Sequence, residues 1–137
     1  MTLNSRGFDW KADLIFDLVS TYDVAFFQEN LISQDRQIKS LSARWSGSSF
    51  WSPANGKQGG VCALFHHRFE GKCLSWYKDS SGRVISLLID YLGSQINLLG
   101  IYAPTNPAQR NSFCENLHVL CQLAIESFVV ISIVTIQ

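Results

Sequence analysis

The chain has 137 residues, 47% hydrophobic and 16% charged, which allows one modest core and excludes the disordered class. Eleven basic and eleven acidic side chains cancel to a net charge of zero. That excludes the broad cationic surface behind non-specific nucleic-acid binding, so any such contact has to be local.

The opening Met1-Thr2-Leu3 is a short apolar run that ends on Asn4. Behind Asp9 as a helix cap, Trp10, Leu14, Leu18 and Tyr22 recur at helical spacing with Ile15 and Val19 beside them, which predicts an amphipathic helix of about three turns. The β-rich Val24-Ala25-Phe26-Phe27 follows and runs into Gln28-Glu29. Strand, helix, strand reads as a crossover unit with parallel strands, whose carboxyl ends share one edge. Asn4 and Glu29 are therefore expected to be neighbours.

Residues 31–57 are rich in serine and glycine and read as a long surface excursion anchored by Trp45, Phe50 and Trp51. Four strands then come quickly, Gly60 to His66, Lys72 to Tyr77, Arg83 to Leu92 and Gln95 to Tyr102. Turn signals at Phe69-Glu70-Gly71, Asp79-Ser80-Ser81-Gly82 and Leu92-Gly93-Ser94 separate them, which predicts a largely antiparallel meander. The last of these strands delivers Tyr102 and stops at Ala103-Pro104-Thr105-Asn106. Asn106 before Pro107 is a helix-start signal, and Phe113, Leu117, Leu120 and Ala124 mark one face of a helix to about Glu126. The uncharged run Phe128 to Ile136 is too short to span a membrane as a helix and reads as a strand returning to the sheet.

Cys62, Cys73, Cys114 and Cys121 sit inside apolar segments rather than in a regular framework, which favours free thiols in a reducing compartment. The opening residues contain Arg6, Asp9 and Lys11 and no apolar h-region, so the expectation is an unsecreted, intracellular protein. Cys114, His118 and Cys121 share a helical face, but Cys62 and His66 on a strand do not converge as zinc ligands would. They are read as structural, as are His66 and His67.

Several segments, in order, resemble the endonuclease/exonuclease/phosphatase superfamily, and within it the apurinic-type endonuclease domain of non-LTR (LINE-type) retrotransposons. Asn4-Ser5-Arg6-Gly7 is similar to its Asn-x-x-Gly strand end, Phe27-Gln28-Glu29 to its Leu-Gln-Glu, and Gly59-Gly60-Val61-Cys62-Ala63-Leu64 to its Arg-Gly-Val-Ala-Ile strand. The most specific match is Asn97-Leu98-Leu99-Gly100-Ile101-Tyr102-Ala103-Pro104-Thr105-Asn106, continued by Arg110-Asn111-Ser112-Phe113.

The resemblance implies a four-layered α/β sandwich, two sheets face to face with helices outside, of which this chain forms roughly the first half. It covers residues 1–126 as a single partial domain, with 127–137 a divergent apolar tail. It also implies phosphodiester hydrolysis with Mg²⁺ or Mn²⁺, and DNA as the partner. Glu29 matches the metal-ligand carboxylate, Asn4 the amide supporting metal and phosphate, Tyr102 the phenol that holds the scissile phosphate, and Asn106 lies in the adjoining substrate loop. Taken alone, the same residues read as a solvated carboxylate, a turn amide, a core-edge aromatic and a helix cap. Arg110 is left outside the catalytic set.

The resemblance stops at the end of the chain. The family's Gly-Asp-x-Asn segment has no counterpart in Phe128-Val129-Val130-Ile131 or beyond, no Asp or Asn follows Asn116, and no Ser-Asp-His segment occurs. The expectation is a chain without its water-activating groups and inactive as it stands. Two alternatives remain open: another phosphodiesterase or phosphatase of the superfamily, and a non-catalytic module that self-associates or binds a protein through an exposed sheet.

Overall fold

In the computed structural model, which describes residues 1–123 and 128–134, eight strands form two sheets of four. The first sheet has the order β1-β2-β4-β3, from β1 (Thr2–Asn4), β2 (Val24–Gln28), β3 (Ser49–Ser52) and β4 (Val61–Phe65). The second has the order β5-β6-β7-β8, from β5 (Lys72–Lys78), β6 (Val84–Tyr91), β7 (Ser94–Tyr102) and β8 (Phe128–Val134). Helices α1 (Ala12–Val19), α2 (Asp35–Arg44) and α3 (Pro107–Leu123) complete the elements. Each sheet holds one parallel crossover: β1 to β2 through α1, with Asn4 opposite Gln28, and β7 to β8 through α3, with Tyr102 opposite Val134.

The apolar clusters show the layering, because strand residues alternate between faces. Ala25, Phe27, Cys62, Leu64 and Trp51 face outward from the first sheet and meet Phe8, Ala12, Ile15 and Val19 around α1 and Leu41 of α2. Phe26, Val61, Ala63 and Phe65 point the other way and meet Ile85, Leu87, Ile89 and Tyr102 from the second sheet. Val84, Leu99 and Ile101, on the far face of the second sheet, receive Phe113 and Leu117 of α3. Helix, sheet, sheet, helix is the four-layered arrangement expected. The apolar tail pairs with β7 as a strand, as anticipated, while residues 124–126 of the expected helix and 135–136 of the expected strand lie outside the described residues.

Three local expectations change. The first helix begins with a 3₁₀ turn, Asp9–Lys11, and Phe8 rather than Asp9 occupies its cap without a side-chain hydrogen bond. Its apolar stripe is also the neighbouring one. Trp10, Leu14, Leu18 and Tyr22 are 82%, 70%, 43% and 43% exposed, whereas Ala12, Ile15 and Val19 are buried. Small Ala12 lets the helix sit against the sheet and leaves room for Phe8, which meets the rings of Phe16, Phe27 and Trp51 edge-on.

Residues 31–57, expected to be irregular, contain α2 and β3. Gln34 and Gln37 form a reciprocal capping box at the start of α2, and Leu41 is its buried contact. Serine masked this helix because its apolar positions, Ile38, Leu41 and the following Trp45, are few. The indole of Trp45 donates to the Phe65 carbonyl at 3.0 Å, which ties the end of α2 to β4. Of the expected meander, only β5, β6 and β7 pair in succession. β4 is buried along its whole length and sits between β2 and β3. A strand apolar on both faces needs a central place. β5, exposed throughout, takes the edge.

The stripe correction has a direct consequence. Ile15→Ala should destabilise the chain by about 2–5 kcal/mol, as a buried aliphatic truncation does, while Leu14→Ala should stay within about 0.5 kcal/mol. Paired urea denaturation curves of the two variants check it, and equal midpoints would restore the stripe centred on Leu14.

Candidate active site

The carboxyl ends of β1, β2 and β7 meet at one edge of the sandwich, and the chain that leaves β2 is held there with unusual firmness. Gln28 is buried, and its carboxamide donates to the Thr2 hydroxyl at 3.1 Å. On one side, the N–H groups of Ser5, Gly7 and Phe8 donate to the carbonyls of Gln28, Glu29 and Asn30 at 2.9, 2.8 and 3.0 Å. On the other, the N–H groups of Asn30 and Leu31 donate to the carbonyls of Gly60 and Gly59, both at 3.2 Å. Between these two grips Glu29 and Leu31 adopt φ of 54° and 60°, left-handed backbone that non-glycine residues rarely take. Such strain persists where surrounding bonds over-determine it. Gly60 is required here in a second sense, since a Cβ on it would collide with the Asn30 carboxamide oxygen.

Tyr102 arrives from the second sheet. It is buried, with its hydroxyl beside the Glu29 side chain, whose charge it feels. Burial raises the Tyr102 phenol above its ordinary pKa and the Glu29 charge raises it further, partly offset by the Arg83 guanidinium. Arg83 grips Tyr102 in three ways. Its guanidinium carbon lies 5.2 Å from the ring centroid, its Nη1 donates to the Tyr102 carbonyl at 3.2 Å, and its carbonyl accepts the Tyr102 N–H at 2.7 Å.

Arg83 is placed by the hairpin between β5 and β6, which Asp79 organises. The Asp79 carboxylate accepts the N–H groups of Arg83 and Val84, both at 2.9 Å, the hydroxyl of Ser81, and the hydroxyl of Ser52 across the sheets at 3.1 Å. Burial pushes this carboxyl up, but the hydrogen bonds from Ser81, Val84, Arg83 and Ser52 outweigh it and hold it below the usual range. A further strut joins the sheets where Gly60 N–H donates to the Gly82 carbonyl at 2.8 Å.

The residues singled out from sequence fare differently. Glu29 and Tyr102 are brought near enough for the carboxylate charge to act on the phenol, and Asn4 stands opposite Gln28, one residue from Glu29. The Asn4 carboxamide oxygen accepts the Arg6 N–H at 3.1 Å, so the simple turn role is realised. Asn106 also performs its simple role, accepting the Ala108 N–H at 2.9 Å as the cap of α3. Arg110 donates to the carbonyls of Pro104 and Thr105 at 3.2 and 2.8 Å and so fixes the loop that follows Tyr102. Arg83 and Asp79 were missed. The Asp-Ser-Ser-Gly turn signal was visible, but its landing beside Tyr102 depends on pairing between distant segments.

Asn4 and Glu29 offer hard oxygen donors, a donor set that suits Mg²⁺ or Mn²⁺ rather than a soft metal. The amide oxygen of Asn4 has a second lone pair beyond its bond to Arg6. Among the described residues no group of three or more His, Cys, Asp or Glu side chains could hold a metal ion, so the fit is that of an ion shared with waters and phosphate oxygens. Cys62, Cys73 and Cys114 are free thiols, and burial drives the Cys62 thiol far above its ordinary value. His66 and His67 follow the opposite end of β4 and stack with centroids 4.2 Å apart, remote from Glu29.

No protein-family profile matches the chain. An uncharacterized 149 kDa protein of transposon TX1 from Xenopus laevis is 31% identical over 120 residues, covering 85% of this chain and 9% of that protein. Among solved structures, the 3′ phosphatase NExo from Neisseria bound to product DNA hairpin superposes with a TM-score of 0.70 at 14% identity, covering 95% of this chain and 54% of that one. The catalytic domain of APE2 from Xenopus laevis gives 0.66 at 15% identity, with 95% and 55% covered. The chain thus spans about half of these solved domains and under a tenth of the transposon protein. Two facing sheets flanked by helices are the architecture of those solved domains, and the chain has the fold of the endonuclease/exonuclease/phosphatase type.

Proposed function

We propose that this chain forms the phosphate-holding part of a metal-assisted DNA phosphodiesterase site, and that as it stands it binds DNA without cutting it. The observation that carries this reading is the Tyr102 hydroxyl beside Glu29 at an edge shared by both sheets, with Arg83 against the phenol ring. A phenol held above its ordinary pKa stays protonated at neutral pH, so Tyr102 serves as a hydrogen-bond donor to a phosphate oxygen. The Asn4 amide adds donors, and Arg83, always charged, supplies a cation against the phenol in a chain of zero net charge. Mg²⁺ or Mn²⁺ bound at Glu29 would supply charge neutralisation on a phosphate oxygen. DNA as the partner is supported by the product hairpin in the NExo structure and by the kinship with a transposon protein.

The non-cutting half of the reading rests on proton transfer. Tyr102 is held protonated and Arg83 cannot lose its proton, so neither is poised to activate water. General acid and base groups each contribute about 10² to 10⁴ in rate.

An apolar cleft of about 560 Å³ favours a second reading beside the first. It opens between the sheets at the end away from Tyr102, lined by Met1, Val24, Phe26, Ile96 and Leu98 among others. Leu74, Trp76 and Tyr77 are exposed on edge strand β5. Unpaired edges and uncovered apolar surface drive association, and we infer that the chain self-associates. Among the described residues no helix is long and apolar enough to cross a membrane.

Three outcomes are expected. In millimolar Mg²⁺ or Mn²⁺ the chain should bind labelled duplex DNA yet leave supercoiled plasmid intact, with Tyr102→Phe weakening binding up to roughly tenfold, the worth of one hydrogen bond. Plasmid nicking abolished by Glu29→Ala would overturn the non-cutting half, and absence of DNA binding would overturn the rest. In ultraviolet pH titration, the phenol signal lost in Tyr102→Phe should ionise above the ordinary tyrosine range. Glu29→Gln should move it downward, because removing the carboxylate charge favours the phenolate; an unchanged midpoint would break the proposed pairing. Sedimentation velocity should show species heavier than the 15.4 kDa chain that grow with concentration, and a single monomer throughout would remove the self-association reading.

A further inference from the structure

A second concave surface borders the Tyr102 site on the α3 side. It is a groove of about 620 Å³ whose lining includes Asn55, Gln58, Arg83, Gln109, Ser112 and Asn116. Among the described residues Arg83 is its one charged lining residue, and no carboxylate lines it. The remaining polar lining groups, beside Pro104, Ala108 and Phe113, are amides and hydroxyls able to donate to phosphate oxygens without selecting a base. Gln109, Ser112 and Asn116 fall at i, i+3 and i+7 on one face of α3, a stretch about 10 Å long. A DNA strand advances about 3.4 Å per phosphate along its axis, so the wall matches about three successive nucleotides. The loop that joins this wall to Tyr102 is rigid, since Arg110 holds the Pro104 and Thr105 carbonyls and Asn106 caps the helix.

We propose that this groove is a second backbone subsite, holding the phosphodiesters that flank the one held at Tyr102, with Arg83 shared between the two. The inference rests on the reading of the Tyr102 site as one that takes DNA. It accounts for how a chain with balanced charge engages a polyanion: one guanidinium at the junction, and a neutral, acid-free channel leading away from it. Arg83 grips Tyr102 through its ring face and carbonyl. Five N–H donors leave the guanidinium capacity for a phosphate on the groove side.

The test is fluorescence anisotropy of the full chain with a labelled 15-base-pair duplex in EDTA, across a salt series. Ser112→Glu and Gln109→Glu place a negative charge in the groove on exposed helix positions, where glutamate is well tolerated. Each should weaken binding by about fivefold or more, and Arg83→Gln should reduce the slope of log affinity against log salt by about one. Ser20→Glu, at the far end of α1, is the charge control and should bind as the parent does. Circular dichroism verifies that each variant is folded. If the two groove variants match Ser20→Glu while Tyr102→Phe still weakens binding, the groove proposal is overturned and the reading of the Tyr102 site stands. If the parent chain binds no duplex, both are overturned.

Discussion

The grip on residues 28–31 is the constraint from which the rest of the site follows. Five backbone hydrogen bonds hold this short segment, three from the loop after β1 and two to Gly59 and Gly60 before β4. Together they hold Glu29 and Leu31 in left-handed backbone that costs on the order of 1–3 kcal/mol each and would otherwise relax. A carboxylate on an ordinary strand end would sweep a wide volume; here its backbone is fixed before any partner arrives. Gly60 completes the arrangement because no side chain fits against Asn30.

The second sheet is registered on that platform by polar struts rather than by apolar packing alone. Gly60 meets Gly82, Ser52 meets Asp79, and the Asp79 carboxylate in turn orders the hairpin that carries Arg83. Apolar contacts between sheets tolerate sliding, whereas a hydrogen bond is lost within a few tenths of an ångström. The struts all lie at the edge that carries Glu29 and Tyr102. At the opposite end the sheets separate around the apolar cleft beneath Met1 and Leu98. The molecule is therefore most rigidly specified where Glu29 and Tyr102 meet, and the charges there are balanced locally, a carboxylate and a guanidinium on either side of one phenol. A neutral composition overall and a charged, ordered edge are compatible because the electrostatics act over a few ångströms.

Much of this was legible in the linear sequence. The strand ends at Asn4, Glu29 and Tyr102, the parallel crossover through the first helix, the Asn106 cap before Pro107 and the returning apolar tail are local patterns, and local patterns survive folding. What failed was of another kind. The first helix carries two adjacent apolar stripes, and only packing against Phe27 and Trp51 selects the one through Ala12 and Ile15 over the one through Leu14. The helix at Asp35–Arg44 has too few apolar positions to announce itself and is held by its capping box and by Trp45.

By itself the sequence determined which side chains stand at strand ends, because alternation, turn residues and helix caps act over a handful of neighbours. Only the tertiary structure decided that Glu29 and Tyr102 come together, that Arg83 braces the phenol, and that β4 leaves the meander to lie between β2 and β3. Those outcomes depend on pairings between segments tens of residues apart, where the free energy of burying a whole face outweighs any local preference.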